Sequence, residues 1–175
     1  MLDLPNRAKR IQCLICDVDG VLTDGLLYLD NTGRESRAFN VHDGMGLKLL
    51  IAVNIDVAII TTAKNDVVIH RIQQLGIDNY FTGQVDKRSA FAILKSRLKL
   101  ADDQFAYIGD DLPDLEIIKQ VGLGIAVKNA ITLVKTHAIW TTQNSGGNGA
   151  VREVCDLILA AKDLTETALN QYFIQ

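Results

Sequence analysis

The sequence predicts an α/β fold, a doubly wound, Rossmann-like parallel sheet in a single domain over residues 1–175. Short, continuous apolar runs recur along the chain, as in parallel strands that are covered on both faces. Amphipathic segments of helical length separate these runs, and repeated strand–helix units imply right-handed crossovers within one sheet. No linker-like stretch divides the chain, and its length suffices for one sizeable core.

The predicted strands and helices alternate along the chain. The apolar runs at residues 11–16, 55–60, 105–108 and 124–127 are interpreted as strands. Helical periodicity marks residues 44–53, 66–75, 87–98, 112–121 and 151–161. Gly76 and Gly122 end two of these helices, and Pro113 suits the first turn of the helix that Gly122 ends.

One segment, residues 26–41, interrupts this alternation. Two stretches of strand-forming residues flank the turn residues 30–33, a pattern typical of a projecting β-hairpin. No insertion is long enough for a cap domain over the sheet. The core is expected to span about residues 10–162, and residues 165–175 are expected to form a C-terminal tail.

Composition restricts the partners of the protein. The formal net charge is −3 and the 18 Lys and Arg residues are scattered, which argues against nucleic acid as a partner. The first apolar run stops at Asp17 and is too short for a signal sequence or a membrane span. A cytoplasmic protein is therefore expected. Cys13 and Cys16 would point to opposite faces of a strand, which favours buried structural thiols over a metal or disulfide pair.

Polar residues collect where the predicted strands end. In an open parallel sheet, ligands bind outside the carboxyl ends of the strands, so these residues are expected to face one site. In chain order they are Asp17, Asp19, Thr61, Thr62, Lys87, Asp110, Asp111 and Asp114. Carboxylates, a hydroxyl and an ammonium group from four separate segments would thus meet at one edge of the sheet.

The acidic residues suit the chemistry of phosphate monoesters. Asp17 and Asp110 offer the oxygen ligands that Mg²⁺ prefers, and the charge of this ion lets a phosphate dianion approach a carboxylate. Asp17 could attack phosphorus to form an aspartyl-phosphate, while Asp19 protonates the leaving alkoxide and later takes a proton from water. Taken singly, each acidic pair could instead be a helix cap or a solvated turn.

Three other residues could hold the phosphoryl oxygens. Gly20 leaves backbone N–H groups free to line an anion-binding nest. The Thr61 hydroxyl and the Lys87 ammonium group could bind the oxygens over which negative charge spreads in the transition state.

Taken together, these motifs resemble a known family. DVDGVLT, a threonine after an apolar strand, a lysine and GDDLPD, in this order, are similar to the four motifs of the haloacid dehalogenase (HAD) superfamily of phosphohydrolases. Longer stretches, FNVHDGMGLKLL, GQVDKRSAF and GGNGAVREVCDLIL, resemble its capless branch of 3-deoxy-D-manno-octulosonate 8-phosphate (KDO 8-phosphate) phosphatases. The resemblance covers about residues 10–162. It implies Mg²⁺-dependent hydrolysis of an acidic sugar phosphate in lipopolysaccharide sugar synthesis, by a homotetramer whose hairpins pack together.

The resemblance also assigns roles to individual residues. It makes Asp17 the nucleophile and a metal ligand, and Asp110 a second metal ligand. Asp19 becomes the acid/base, with its backbone carbonyl on the metal. Thr61 and Lys87 would hold the phosphate, and Asp111 and Asp114 would be supporting carboxylates. The positions of Gly20, Thr62, His42 and Lys64 near the predicted site add them as candidates for binding phosphate or substrate.

Three positions depart from the family pattern. The family usually has arginine where this sequence has Ala63, His42 and Asn148. Since arginine binds carboxylates and phosphates bidentately, these departures affect the periphery that recognises the sugar rather than the phosphoryl chemistry. Lys64 and Arg152 are near in sequence and could substitute.

Two functional alternatives stay open. The departures allow a phosphatase of a related nonulosonate 9-phosphate, or a non-catalytic tetrameric homologue with a binding role. A signalling receiver domain also combines an aspartyl-phosphate with a threonine and a lysine, but its order of motifs differs. Here no carboxylate follows the second apolar strand, and Asp19 supplies an acid/base that such a switch would omit.

Overall fold

A six-stranded parallel sheet forms the centre of the computed structural model, which describes residues 3–174. In chain order the strands are β1 (Cys13–Cys16), β2 (Tyr28–Leu29), β3 (Glu35–Ser36), β4 (Asp56–Ile60), β5 (Asn79–Phe81), β6 (Phe105–Gly109), β7 (Leu123–Ala126) and β8 (Trp140–Thr141). The order across the sheet is β5-β4-β1-β6-β7-β8, and all neighbours are parallel. The predicted fold class is therefore confirmed.

Helices cover both faces of this sheet. They are α1 (Leu4–Arg10), α2 (Val41–Ala52), α3 (Asp66–Gln74), α4 (Lys87–Leu98), α5 (Leu115–Gln120), α6 (Thr132–His137), α7 (Ala150–Ala161) and α8 (Thr165–Ile174), with 3₁₀ turns at Asp102–Gln104 and Leu112–Asp114. One layer contains α1, α2, α7 and α8, and the other contains α4, α5 and α6. No helix within residues 3–174 is long and apolar enough to cross a membrane.

The order in which the chain adds strands to the sheet reverses at β1, in the middle of the sheet. From β1 the chain crosses to β4 on one side, whereas β6 pairs with β1 on the other side. All four residues of β1 are fully buried, as expected for a central parallel strand, and Cys13 and Cys16 are buried free thiols, as predicted. A crevice at such a switch point is where ligands bind in open α/β sheets.

Most predicted elements are present, and the differences involve short elements. Helix α4 has the predicted bounds, whereas residues 112–121 divide into a 3₁₀ turn and α5. Strands β5 and β8 and helices α1 and α6 were not predicted, because two to seven residues carry too little periodicity to stand out.

The hairpin is present but shorter than predicted, and the predicted tail is wrong. Within residues 26–41, only β2 and β3 pair, and Asp30 Oδ1 accepts hydrogen bonds from the N–H groups of Thr32 and Arg34 in the turn. Residues 165–174 of the expected tail form α8, which packs on α2 and α7 and fully buries Ala168, while Gln175 lies outside the described residues. Within residues 3–174, no insertion forms a separate domain over the carboxyl edge of the sheet.

Candidate active site

Three carboxylates meet at the carboxyl ends of β1 and β6. Asp17 follows β1, and its N–H donates to the carbonyl of Ile108, which fixes it beside the end of β6. One oxygen each of Asp17, Asp110 and Asp114 lies within 4.8 Å of the others. The expected convergence is therefore present for Asp17, Asp110 and Asp114.

Lys87 supplies the positive charge of this group. It is the first residue of α4, its side chain is 1% exposed, and its Nζ lies 2.8 Å from Asp17 Oδ1 and 2.7 Å from Asp114 Oδ1. Burial lowers the pKa of Lys87, but the charges of Asp17 and Asp114 outweigh this effect, so the pKa is raised. Lys87 is therefore a permanent ammonium ion between two carboxylates.

Asp114 organises the group rather than facing an open space. Its Oδ2 accepts hydrogen bonds from the N–H groups of Asp110 and Asp111, and its Oδ1 accepts from Lys87 and from the hydroxyl of Tyr107 at 2.6 Å. Both oxygens are thus occupied by protein donors. We call Asp17, Lys87, Tyr107, Asp110 and Asp114 the buried cluster.

The carboxylates of Asp17 and Asp110 fit a divalent cation. Asp17 Oδ1 is buried, and the Lys87 ammonium lies 2.8 Å from it as an ion-pair partner. Burial, followed by the charge of Asp114, raises the pKa of Asp17 to about 7. Burial, followed by the charge of Asp17, raises the pKa of Asp110 to about 7. Such unfavourable negative charge is what a hard cation such as Mg²⁺ would neutralise.

The loop after β1 is held by Thr23, a residue that the sequence did not single out. Its buried hydroxyl accepts hydrogen bonds from the N–H groups of Gly20 and Gly25 and donates to the carbonyl of Val18. Gly20 has a φ of +83°, and a Cβ there would overlap the Asp110 carboxylate. The glycine is therefore required both by the turn and by the close approach of Asp110.

A second loop, residues 146–149, packs against this one. The N–H of Gly147 donates to the carbonyl of Val21, and the N–H of Gly146 donates to Asn129 Oδ1. Asp43, in the first turn of α2, accepts hydrogen bonds from the N–H groups of Gly149 and Arg152 at the start of α7. Asp43 is 1% exposed, so a buried carboxylate fixes the loop that supports the Gly20 turn.

Asp19 is held by an arginine of the hairpin. Arg37 donates from Nε to Asp19 Oδ1 at 2.7 Å and from Nη2 to Asp19 Oδ2 at 3.3 Å. Its Nη1 donates to Glu35 Oε2 at 2.8 Å. Sequence reasoning missed Arg37. An arginine near the base of a hairpin that directly follows an acidic loop was the available signal.

The residues after β4 are less closely connected to the buried cluster. Thr61 is fully buried and its hydroxyl accepts a hydrogen bond from the N–H of Ala63. Thr62 and Lys64 are exposed, and the stem of Lys64 lies over Gly83. Thr61 thus occupies the expected strand end, whereas Thr62 and Lys64 are not joined to the cluster by any described hydrogen bond.

Asp111 and His42 lie outside the cluster. The Asp111 side chain is exposed and accepts a hydrogen bond from the N–H of Leu112, so it caps the 3₁₀ turn. His42 is exposed and borders an open cavity of about 520 Å³. We call this cavity the outer groove; its lining residues are His42, Asn144, Asn148, Gly149, Arg152, Glu153 and Asp156.

In sequence and in structure, this chain is similar to haloacid dehalogenase-like hydrolases and to sugar-phosphate phosphatases. The family model of haloacid dehalogenase-like hydrolases matches residues 59–154. The 3-deoxy-D-manno-octulosonate 8-phosphate phosphatase of Yersinia pestis is 49% identical over 95% of this chain and 89% of its own length. A Legionella pneumophila structure described as a HAD superfamily (subfamily III A) hydrolase has a TM-score of 0.98 and 62% identity, covering 98% of this chain and 94% of its own.

A further similar structure contains ligands. The 3-deoxy-D-manno-octulosonate 8-phosphate phosphatase from Moraxella catarrhalis, in complex with magnesium, phosphate and KDO, is 40% identical to this chain. Its TM-score is 0.93, and the match covers 98% of this chain and 99% of the Moraxella chain.

Proposed function

The chain belongs to the haloacid dehalogenase-like hydrolases, and on this basis we propose that it hydrolyses KDO 8-phosphate to KDO and inorganic phosphate with the help of Mg²⁺. The observation that carries the proposal is the meeting of the carboxylates of Asp17, Asp110 and Asp114 beside the buried ammonium group of Lys87. An acidic site of this kind suits a cation and a phosphate monoester.

In the first step, an Asp17 oxygen attacks phosphorus. The new bond joins the carboxylate to phosphorus, and the bond from phosphorus to the sugar oxygen breaks. Asp19 gives a proton to the departing alkoxide, so the sugar leaves as an alcohol. Lys87 remains beside Asp17 at 2.8 Å and compensates negative charge as the aspartyl-phosphate forms.

In the second step, water attacks the phosphorus of the aspartyl-phosphate. Asp19, now ionised, takes a proton from this water, and the bond between Asp17 and phosphorus breaks to release phosphate. The carboxylates of Asp17 and Asp110 and the backbone carbonyl of Asp19 are the groups proposed to hold the cation. When bound there, Mg²⁺ supplies positive charge that lets a dianionic phosphate lie against a carboxylate.

The phosphoryl oxygens need donors, and the residues nearest the cluster offer them. We assign this role to Lys87 and to the hydroxyl of Thr61. The Gly20 N–H was expected to line an anion-binding nest, but it donates to the Thr23 hydroxyl instead. Thr62, Lys64 and His42 are assigned to binding the sugar part of the substrate, because their side chains are exposed and lie outside the buried cluster. Asp111 and Asp114 are assigned supporting roles, which suits their bonds to the backbone after β6.

We further propose a homotetramer built through the hairpins. Leu26, Leu27, Tyr28 and Leu29 are between 46% and 63% exposed, and a hairpin with only two paired positions gains little stability alone. A closed assembly would cover this apolar surface. Light scattering should find the oligomer, and a stable, active monomer at micromolar concentration would contradict it.

Cellular context follows from the proposed reaction. We propose a role in lipopolysaccharide sugar synthesis and a cytoplasmic location, which the three buried free thiols suit because disulfides are rare in that reducing compartment.

A related nonulosonate 9-phosphate is the second candidate substrate. The observation that favours it is the absence of arginine at Ala63, His42 and Asn148, which leaves Arg152 as the guanidinium group of the outer groove. Phosphate release from both sugar phosphates and from neutral sugar phosphates, with and without Mg²⁺, distinguishes the candidates. Release from neither acidic sugar phosphate would favour a non-catalytic homologue and contradict the proposed function.

A further inference from the structure

The side chain of Arg37 is buried, unlike most of the hairpin to which it belongs. The residues around the turn are exposed, yet the Arg37 side chain is only 5% exposed. Its guanidinium group makes three hydrogen bonds, two to Asp19 and one to Glu35. Burying a long charged side chain requires compensation, and here the compensation comes from the carboxylate that the proposed reaction uses for proton transfer.

Through Glu35, the hydrogen bonds of Arg37 are linked to the loop that follows β4. Glu35 Oε2 also accepts a hydrogen bond from Asn65 Nδ2 at 3.2 Å. Asn65 in turn caps α3 by accepting from the N–H of Val68. A chain of bonds from Asp19 through Arg37 and Glu35 to Asn65 therefore joins the loop after β1 to the loop after β4, with the base of the hairpin between them.

We propose that Arg37 is the positioning residue of Asp19, so that the hairpin, and not a cap domain, fixes the carboxylate that protonates the leaving group. A bidentate fork sets both the position and the plane of a carboxylate, which a single hydrogen bond does not. Proton transfer to a departing oxygen depends on this placement. The inference rests on the proposed function, because it gives Asp19 the role assigned there.

The experiment compares leaving groups that differ in their need for a proton. The substrates are KDO 8-phosphate, glycerol phosphate and p-nitrophenyl phosphate, and kcat/KM is measured because it covers the steps up to cleavage of the ester. The first two release an alkoxide, whereas p-nitrophenolate leaves readily as an anion. The variants are Arg37→Gln and Arg37→Lys, and Arg34→Gln is the control because Arg34 is an exposed arginine of the same hairpin.

Arg37→Gln is expected to lower kcat/KM for both alkyl esters by about tenfold or more, the effect of a lost charge-assisted hydrogen bond. The loss with p-nitrophenyl phosphate should stay below about threefold, and Arg37→Lys, which keeps the charge and the fold but lacks the fork, should fall in between. In an Asp19→Asn background, Arg37→Gln should add no further loss, because the two residues act as one unit.

Several results would overturn the inference. Equal losses on all three substrates, an effect no larger than that of Arg34→Gln, or a full additional loss in the Asp19→Asn background would show that Arg37 does not act through Asp19. A rise in KM confined to KDO 8-phosphate would make Arg37 a sugar-binding residue instead. If wild type fails to hydrolyse KDO 8-phosphate, the proposed function fails, while glycerol phosphate and p-nitrophenyl phosphate still test Arg37.

Discussion

The buried cluster and the outer groove are connected by the loop of residues 146–149, but they are built in different ways. In the cluster, Lys87 and Asp114 are almost fully enclosed, and each polar atom of Asp114 has partners from within the chain. In the groove, His42 and Asn148 are exposed. Arg152 is partly exposed and bonds Asp156 one turn further along α7.

This difference suggests that the buried cluster carries the reaction, whereas the residues of the outer groove determine which substrate is preferred. Substituting a buried, mutually bonded residue disturbs several partners at once, so the cluster tolerates little change. Exposed groove residues can change without disturbing the fold, because their side chains have few protein partners to lose. The three positions that depart from the family pattern are exposed (His42 and Asn148) or partly exposed (Ala63), and none of them belongs to the buried cluster.

The largest effect is expected from Asp17→Asn. The substitution keeps the volume of the side chain but removes the attacking oxygen and a metal-binding charge. We expect kcat to fall by about 10⁴-fold or more, as for other nucleophiles of covalent catalysis, with an unchanged circular dichroism spectrum. Asp103→Asn, an exposed carboxylate paired with Arg10, is the matched control and should retain activity. Substantial turnover by homogeneous, folded Asp17→Asn would refute the assignment.

Lys87→Met tests how strongly the cluster depends on its one cation. Removing Lys87 leaves Asp17 and Asp114 without compensation in a buried setting. The free energy of unfolding without metal at pH 8 should fall by about 3 kcal/mol. Urea denaturation measures it, with Lys119→Met, an exposed lysine paired with Glu116, as the control. If the free energy of unfolding falls no more than in the control, the repulsion between the Asp17 and Asp114 carboxylates does not destabilise the fold.

The pH dependence of stability gives a smaller but distinctive effect. Burial raises the pKa values of Asp17 and Asp110 from 3.8 to about 7, so between these values the folded state binds more protons than the unfolded state. The contribution of these groups to the metal-free stability is therefore largest below about pH 4, decreases as the pH rises towards 7, and is constant above it.

Urea denaturation of metal-free protein at pH 5 and pH 8 measures this effect. Wild type should lose more stability between the two pH values than Asp110→Asn, in which residue 110 cannot ionise. Mg²⁺ should stabilise wild type more at pH 8 than at pH 5, because protons and the cation compete for the same oxygens. Identical pH dependence of wild type and variant would argue against a raised pKa of Asp110.

The smallest effect is expected at the periphery, from Ala63→Arg. The added guanidinium group should shift the ratio of kcat/KM for KDO 8-phosphate over nonulosonate 9-phosphate by about tenfold at most, since one exposed contact contributes little. Gln73→Arg, on the exposed face of α3, controls for the added charge. If wild type already strongly prefers KDO 8-phosphate and Ala63→Arg changes nothing, the interpretation of the three departures is wrong.

How much of the site the sequence could predict follows from how each residue is placed. Asp17 and Asp110 directly follow strands, and the register of a parallel sheet brings strand ends together, so their meeting was predictable. Lys87 begins a helix whose bounds periodicity predicts. Tyr107 was not predictable in this way, because its bond to Asp114 depends on tertiary packing that no local pattern encodes. For Arg37 the sequence offered only a weak signal, its place near the base of a hairpin after an acidic loop, and its pairing with Asp19 depends on how the hairpin folds back.

The same reasoning explains the errors in the fold. Helix α8 has apolar residues without a clear helical stripe, so residues 165–175 were predicted to be a tail, although Ala168 packs into the core. Strand β5 has only three residues and depends on pairing with β4. Both elements are stabilised by neighbours rather than by local sequence preference.

The bonds of Asp43 have a consequence for the order in which the protein folds. Asp43 is 106 and 109 residues from the two N–H groups that it binds at the start of α7. A nascent chain emerging from the ribosome therefore cannot fix residues 146–149 until α7 has been synthesised. Contacts of such long range form late because the closure entropy of the intervening loop opposes them. The strands can pair earlier, but the loop that supports the Gly20 turn is completed only near the end of synthesis.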